Sequence, residues 1–204
     1  MNTTFTKTVF LSLLALTGIL ISCRKNDVRV PDVSEKIAGV YELVRIQWDG
    51  DPVDVNNDGV TSNNLYPELM TLSTNAQGVY KTQVLVSDSS SGSIGMYIPL
   101  QNVSVTHDGR YPKGFMTGMA LPLSLLFHID REGSISVDHF DSLDVPESES
   151  RIEMKRIHDG QATFDELGHF VFTVHNTLYD HATDLLVDGI ITYTYTRVQP
   201  FGTI

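Results

Sequence analysis

The oxygen donors between Asp54 and Ser62 have the spacing best suited to chemistry. Asp54, Asn56 and Asp58 fall at the first, third and fifth positions of a calcium loop, Gly59 at the sixth, the Val60 carbonyl at the seventh and Ser62 at the ninth. Calcium takes about six to eight oxygens, and the position where a bidentate Glu closes such a loop holds Leu65 instead. Asn64 and Glu68 stand nearby but out of register. Two carboxylates without a bidentate closer bind calcium weakly, so one expectation is a low-affinity site. The other is an ion-free loop in which Asn and Asp side chains hydrogen-bond their own backbone and Gly59 takes positive φ.

The seven histidines mostly refuse a metal or catalytic reading. His169 and His175 share a face of one expected strand, but at about 3.3 Å per residue they sit ~20 Å apart, too far to share an ion. His107-Asp108, Asp138-His139 and His158-Asp159 are adjacent pairs, which a regular strand directs to opposite faces. Only the stretch from His175 to His181, with Asp180 and Asp184, is short enough to cluster locally, the alternative being solvated loop histidines. No serine lies in a Gly-x-Ser-x-Gly turn, and no glycine-rich phosphate loop follows a strand. The expectation is therefore a protein that is not an enzyme, with no cofactor beyond a weakly held calcium ion.

The N-terminus sets the address. Val9 to Ile21 is an uncharged apolar run behind Lys7. At about 1.5 Å per residue it is too short for a ~30 Å hydrocarbon core, so it reads as a secretory signal peptide. The only cysteine, Cys23, directly follows Ser22. Leu20-Ile21-Ser22-Cys23 resembles a bacterial lipobox, which implies cleavage before Cys23 and acylation of its thiol, with more than one chain needed for durable attachment. Arg24 rather than Asp after the cysteine implies sorting to the outer membrane, facing either the periplasm or the cell surface. The expected organisation is a signal peptide over 1–22, a lipidated Cys23 with a flexible tether over 23–36, and one domain over 37–204.

Composition narrows the partners. The chain has 204 residues and a net charge of −11. Removing the signal takes away Lys7 and no acid, so the remainder carries −12. An acidic body repels phosphate backbones, which argues against nucleic acid. With Cys23 committed to lipid, neither a disulfide nor a thiolate metal site can form, and packing alone must hold the fold.

Beyond the tether, short β-rich runs alternate with Gly, Asn, Asp and Ser. Strands are expected over Gly39–Trp48, Leu69–Ser73, Val79–Val86, Ile94–Thr106, Leu121–Ile129, Ser134–Phe140, Arg151–His158, His169–His175 and Val187–Val198, with a brief helical turn near Leu65–Met70. Asp88–Ser93 and the acidic stretch Asp141–Ser150 read as solvated loops. The pattern predicts an all-β protein, an antiparallel sandwich or barrel. In the last strand, Ile191, Tyr193, Tyr195 and Arg197 share one face and threonines the other.

Gly39-Val40-Tyr41 opening the first strand and Arg197 in the last resemble the lipocalin pattern, in which a late arginine closes over an aromatic ring near the start. Together with the lipobox and the Asp54 to Gly59 run, the chain resembles the lipocalin-like lipoproteins of Bacteroidetes. That likeness implies an antiparallel up-and-down barrel of about eight to nine strands, closed structurally by Gly39, Tyr41 and Arg197. It also departs from the family, with Tyr41 where tryptophan is usual. The leading expectation is a membrane-anchored binder of an apolar or amphipathic small molecule, with Tyr41, Leu43, Tyr193 and Tyr195 on its wall. Tyr111, Phe115 and Met116 either line its mouth or tuck under a loop. The alternative is a filled barrel that docks a protein or polymer through its surface loops; the sequence identifies no protein partner.

Overall fold

The computed structural model describes residues 33–72, 81–103, 116–142 and 157–201. The signal peptide, Cys23, Tyr111, Phe115 and residues 143–156 lie outside the described residues. So do most of the tether and residues 151–156 of the strand expected over Arg151–His158. The chain divides into Met1–Asp32 and Val33–Ile204, and every described residue belongs to the second unit.

The described strands are β1 (Gly39–Trp48), β2 (Lys81–Val86), β3 (Ser91–Val103), β4 (Met116–Ile129), β5 (Ile135–Val137), β6 (Phe140–Ser142), β7 (His158–Phe164), β8 (Phe170–Asp180) and β9 (Leu185–Pro200). Their order in the sheet is β5-β4-β3-β2-β1-β9-β8-β7-β6, every ladder being antiparallel. Neighbours in sequence are neighbours in space, and the first strand pairs with the last. β5 pairs with β4, and after two further residues β6 pairs with β7. The two short segments therefore act as one stave that changes partner, giving eight staves in a nearly closed barrel. This is the antiparallel up-and-down β-barrel expected from the sequence.

β1 shows how the alternation is kept. Tyr41 and Leu43 face inward, and strict alternation would then bring Arg45 into the core. A register shift between Leu43 and Arg45 inserts the extra residue, so Val44 and Arg45 both face out while Ile46 and Trp48 turn in. The inner face is continued by Ile94, Met96 and Ile98 of β3, Phe170, Phe172 and Val174 of β8, and Ile191, Tyr193 and Tyr195 of β9. Thr192 and Thr194 stay on the outer face, as the alternation in that strand predicts.

Two short helices cover the ends of the barrel. α1 (Val33–Ile37) takes in the last residues of the stretch read as tether. Ile37 is buried, and Val33 packs against the core close to Gly133 in the β4–β5 turn. The closure residues act on this helix. Tyr41 and Arg197 face each other across β1 and β9. The Tyr41 hydroxyl donates to the Ile37 carbonyl at 2.8 Å, and the Arg197 guanidinium donates to the carbonyls of Glu35, at 3.0 Å, and Lys36. These are carbonyls a helix C-terminus leaves without an intrahelical partner. Burial pushes the Tyr41 hydroxyl up to about 12, against the opposing pull of Arg197. At Gly39, a Cβ would lie 2.4 Å from the Gln199 carbonyl oxygen, so the closest approach of first and last strands requires glycine.

At the other end lies α2 (Leu65–Leu72), packed against β1, β3 and β4. The strand expected over Leu69–Ser73 is helical instead, at least through Leu72. Asn64 caps the helix, its Oδ1 accepting the Tyr66 N–H at 3.3 Å, and Pro67 sits in the first turn, where its missing N–H costs nothing. Leu65, Glu68 and Leu69 fall at helical spacing and turn inward together.

Trp48 marks the junction of β1 with the loop that follows. Its indole N–H donates to the Asp51 carbonyl at 3.0 Å, and the ring lies over Gly50 and Gly189. A Cβ on Gly189 would come within 2.6 Å of the indole and 2.7 Å of the Asp49 carboxylate. Gly189→Ala is expected to destabilise the barrel by about 1–3 kcal/mol through overpacking, read as a lower urea midpoint with an unchanged slope.

Candidate functional site

The loop from Val53 to Ser62 folds over the same barrel end as α2. Val53 and Val55 are buried, and the backbones of Val53 and Ser62 exchange hydrogen bonds. Within the loop the Asp54 carboxylate accepts the N–H of Asp58 at 3.2 Å and of Gly59 at 2.9 Å. Asn56 Oδ1 accepts the Asp58 N–H at 3.0 Å, and Asp58 Oδ1 accepts the Val60 N–H at 2.8 Å. Gly59 has φ 84° and Asn57 φ 64°. The Asn and Asp side chains thus hold their own backbone, and glycine takes the left-handed position.

The carboxylate missing at the closing position of the loop arrives from α2. Glu68 stands one turn after Leu65, and its Oε2 accepts the N–H groups of Val55 and Asn56, each at 3.3 Å. Carboxylate oxygens of Asp54, Asp58 and Glu68 lie within 4.8 Å of one another. Asp54 and Glu68 are buried and Asp58 is exposed, so one side of the group is open to solvent. The donor set of three carboxylates is the hard-oxygen type that suits calcium rather than a softer metal. Of the other residues of the expected loop, Asn56 donates its side-chain amide to Asp58 Oδ2 at 3.1 Å and Val60 its backbone N–H to Asp58 Oδ1, while the Ser62 hydroxyl donates to the Asn64 carbonyl at 3.2 Å. Burial raises the Glu68 carboxyl above its ordinary range, the neighbouring Asp58 and Asp54 charges add to the rise, and the two backbone N–H groups oppose it.

Two residues that the loop pattern does not contain anchor it to the barrel. Asp180, at the end of β8, accepts the Asp54 N–H at 2.9 Å, the Ala182 N–H at 3.1 Å and the Thr183 hydroxyl at 2.6 Å. The side chain of Gln101 on β3 donates to the carbonyls of Val55, at 3.0 Å, and Tyr179, at 2.9 Å, and accepts the Tyr179 N–H at 2.8 Å. His181 donates its backbone N–H to the Asp54 carbonyl at 2.9 Å. Its ring packs edge-on to Tyr179, whose hydroxyl donates to Asp184 at 2.6 Å. His175, by contrast, lies on the outer face of β8, so the stretch from His175 to His181 does not gather into one cluster. His169 is bound to Asp165, its Nδ1 lying 2.8 Å from the carboxylate.

The proposed wall residues lie inside the barrel. Tyr41, Tyr193 and Tyr195 are 0 % exposed and Leu43 is 6 % exposed. The Tyr193 hydroxyl crosses to β3 and donates to the Pro99 carbonyl at 3.0 Å, and Tyr195 donates to the Tyr97 carbonyl at 3.3 Å. The described ladder between β2 and β3 ends at Gly95, so these hydroxyls satisfy strand carbonyls beyond it. Met116 is the first residue of β4. Tyr193→Phe is expected to destabilise the protein by about 1–2 kcal/mol by leaving a buried carbonyl short of a partner, read by chemical denaturation.

Comparison with family models, with curated proteins and with solved structures found no match to this chain.

Proposed function

We propose that this chain is a lipid-anchored, non-enzymatic accessory protein of the bacterial cell envelope. Its barrel is a rigid platform, and its closed end, the Asp54–Ser62 loop with α2, is the contact surface for a protein or polymer partner. The observation that carries this reading is the filled interior. Ile46, Val84, Ile94, Ile98, Phe127, Phe170, Phe172, Tyr193 and Tyr195, drawn from six strands, are all 0 % exposed, so no water-sized space adjoins them. The inward tyrosines Tyr41, Tyr193 and Tyr195 spend their hydroxyls on the barrel's own backbone rather than on groups that could orient a buried ligand.

The test is mass spectrometry on an organic extract of the protein purified from a bacterial envelope. The platform reading expects no stoichiometric small molecule beyond the acyl chains on Cys23. A stoichiometric apolar molecule would instead make the protein a carrier, the role that the lipocalin likeness implies.

Calcium at the contact loop is part of the same proposal. With a dissociation constant of about 0.5 mM, about 5 mM calcium contributes roughly 1.4 kcal/mol and raises the melting temperature by about 3–6 °C. Asp58→Ala should abolish that rise. No shift at millimolar calcium would remove the ion from the proposal and leave the loop as a purely protein-built surface.

A further inference from the structure

We propose a second metal site, on the outer face of the barrel, in which His158 and His175 hold a divalent transition-metal ion such as zinc. The two histidines are direct partners in the β7–β8 ladder. Their rings stack with centroids 4.6 Å apart and planes 12° from parallel. Neither belongs to the loop at the closed end, and imidazole donors select a different ion from the carboxylates there.

The backbone next to His158 is built irregularly. On a regular strand Asp159 would point to the opposite face from His158. Here the β7–β8 register shifts between His158 and Gln161, and Asp159 adopts φ 55°, in the left-handed region that a non-glycine residue occupies only at a cost. The result brings the Asp159 carboxylate to 2.5 Å from His158 Nδ1, which corrects the expectation that these neighbours diverge. A carboxylate only accepts, so Nδ1 carries the proton, and the neutral ring then presents the lone pair of Nε2. That is the arrangement by which an outer-shell carboxylate fixes the tautomer and raises the basicity of a metal-bound histidine. Bulges of this kind concentrate where a strand re-aims a side chain.

Closing on an ion requires the two rings to leave their stack. Zinc binds imidazole nitrogen at about 2.0–2.1 Å, so two nitrogens on one tetrahedral ion sit about 3.4 Å apart. In the stack, with planes 12° from parallel, the in-plane lone pairs do not converge, so both rings must turn about their side-chain torsions to aim a nitrogen each at one ion; the ladder pairing keeps the two side chains close enough to do so. The His158 side chain is 43 % exposed, which leaves the remaining coordination positions open to water. The net charge of −11 favours accumulation of cations near the surface.

The probe is zinc chloride alone, titrated into the full chain purified in detergent, with bound zinc measured by competition against a chromophoric chelator. The wild type should bind one zinc ion, with His158→Gln and His175→Gln each weakening it at least tenfold. Asp159→Asn should weaken binding about tenfold or more while both ligands remain. Asp58→Ala, in the carboxylate loop, should bind zinc as the wild type does. Zinc-dependent shifts confined to the His158 and His175 ring nitrogens in NMR spectra provide a readout independent of any stability loss in the variants. Wild-type affinity in both histidine variants, loss of zinc in Asp58→Ala, or no binding at about 100 μM zinc would each overturn the proposal.

Discussion

Gln101→Leu is expected to cost about 3–6 kcal/mol, the largest effect of any single substitution considered for this barrel. The side chain is 6 % exposed and satisfies three backbone groups at once: the Val55 carbonyl, the Tyr179 carbonyl and the Tyr179 N–H. Leucine fills much the same volume, so the loss comes from polar groups left in the interior, each costing roughly 1–3 kcal/mol when orphaned. Because the three groups belong to the loop after β1 and to the end of β8, the damage should be local as well as global. Amide exchange at Val55 and Asp54 should accelerate more than at Phe170 or Tyr195 in the opposite half of the barrel. A variant within about 1 kcal/mol of wild type would mean that the loop finds other partners and that Gln101 does not anchor it.

The sequence made the barrel readable and much of the site unreadable, for different physical reasons. β1 was bounded at Gly39 and Trp48 because period-two alternation between turn residues is a local signal. β9 is legible over most of its length from its alternating tyrosines and threonines. Part of α2 reads as a strand because a short leucine-rich run looks alike in both forms. The deciding feature was the inward turn of Leu65, Glu68 and Leu69 at helical spacing. β7 has no legible strand signal because HDGQATF carries little β-branched or aromatic character, and its pairing with β8 is what makes it a strand. Ser134–Phe140 read as one strand because nothing local announces a change of partner from β4 to β7. In the site, the Asp54, Asn56, Asp58 and Gly59 pattern correctly located the turn. Gln101 carries no local signal, and Asp180 stands out only beside the histidines of its own stretch; neither pairing with the loop is legible, since Asp180 lies 126 residues from Asp54 and Gln101 lies 46 from Val55. Glu68 reads as out of register because loop numbering ignores how a helix brings a later residue back. The His158–His175 stack depends on a ladder register and a bulge, neither of which has a signal in the linear chain.

Asp180→Ala is expected to cost about 2–4 kcal/mol near neutral pH, and the cost should shrink in acid. The carboxylate is 3 % exposed and accepts hydrogen bonds from the Asp54 N–H, the Ala182 N–H and the Thr183 hydroxyl. Hydrogen bonds to a charged acceptor contribute more than neutral ones, and the substitution leaves the buried Asp54 N–H without a partner. Burial alone would push the Asp180 carboxyl upward, but the Thr183 hydroxyl and the backbone donors outweigh it and hold it below the ordinary aspartate range. The folded chain therefore binds the proton less readily than the unfolded one. Its stabilising contribution is present above the unfolded value of about 3.9 and is lost as pH falls through the lower folded value. Glu68, on the other side of the same loop, has the opposite sign. Its carboxyl is raised chiefly by burial, so the folded chain takes up the proton first, and this group favours folding more as pH falls towards the unfolded value of about 4.3. Urea midpoints between about pH 3 and pH 8 separate the two. The gap between wild type and Asp180→Ala should narrow on acidification, whereas Glu68→Gln should lose ground to wild type over the same range. Parallel curves for all three proteins would show that neither carboxyl titrates differently in the folded loop. Gaps that move in the same direction would mean that the two groups share one environment rather than the buried and the hydrogen-bonded sites described here.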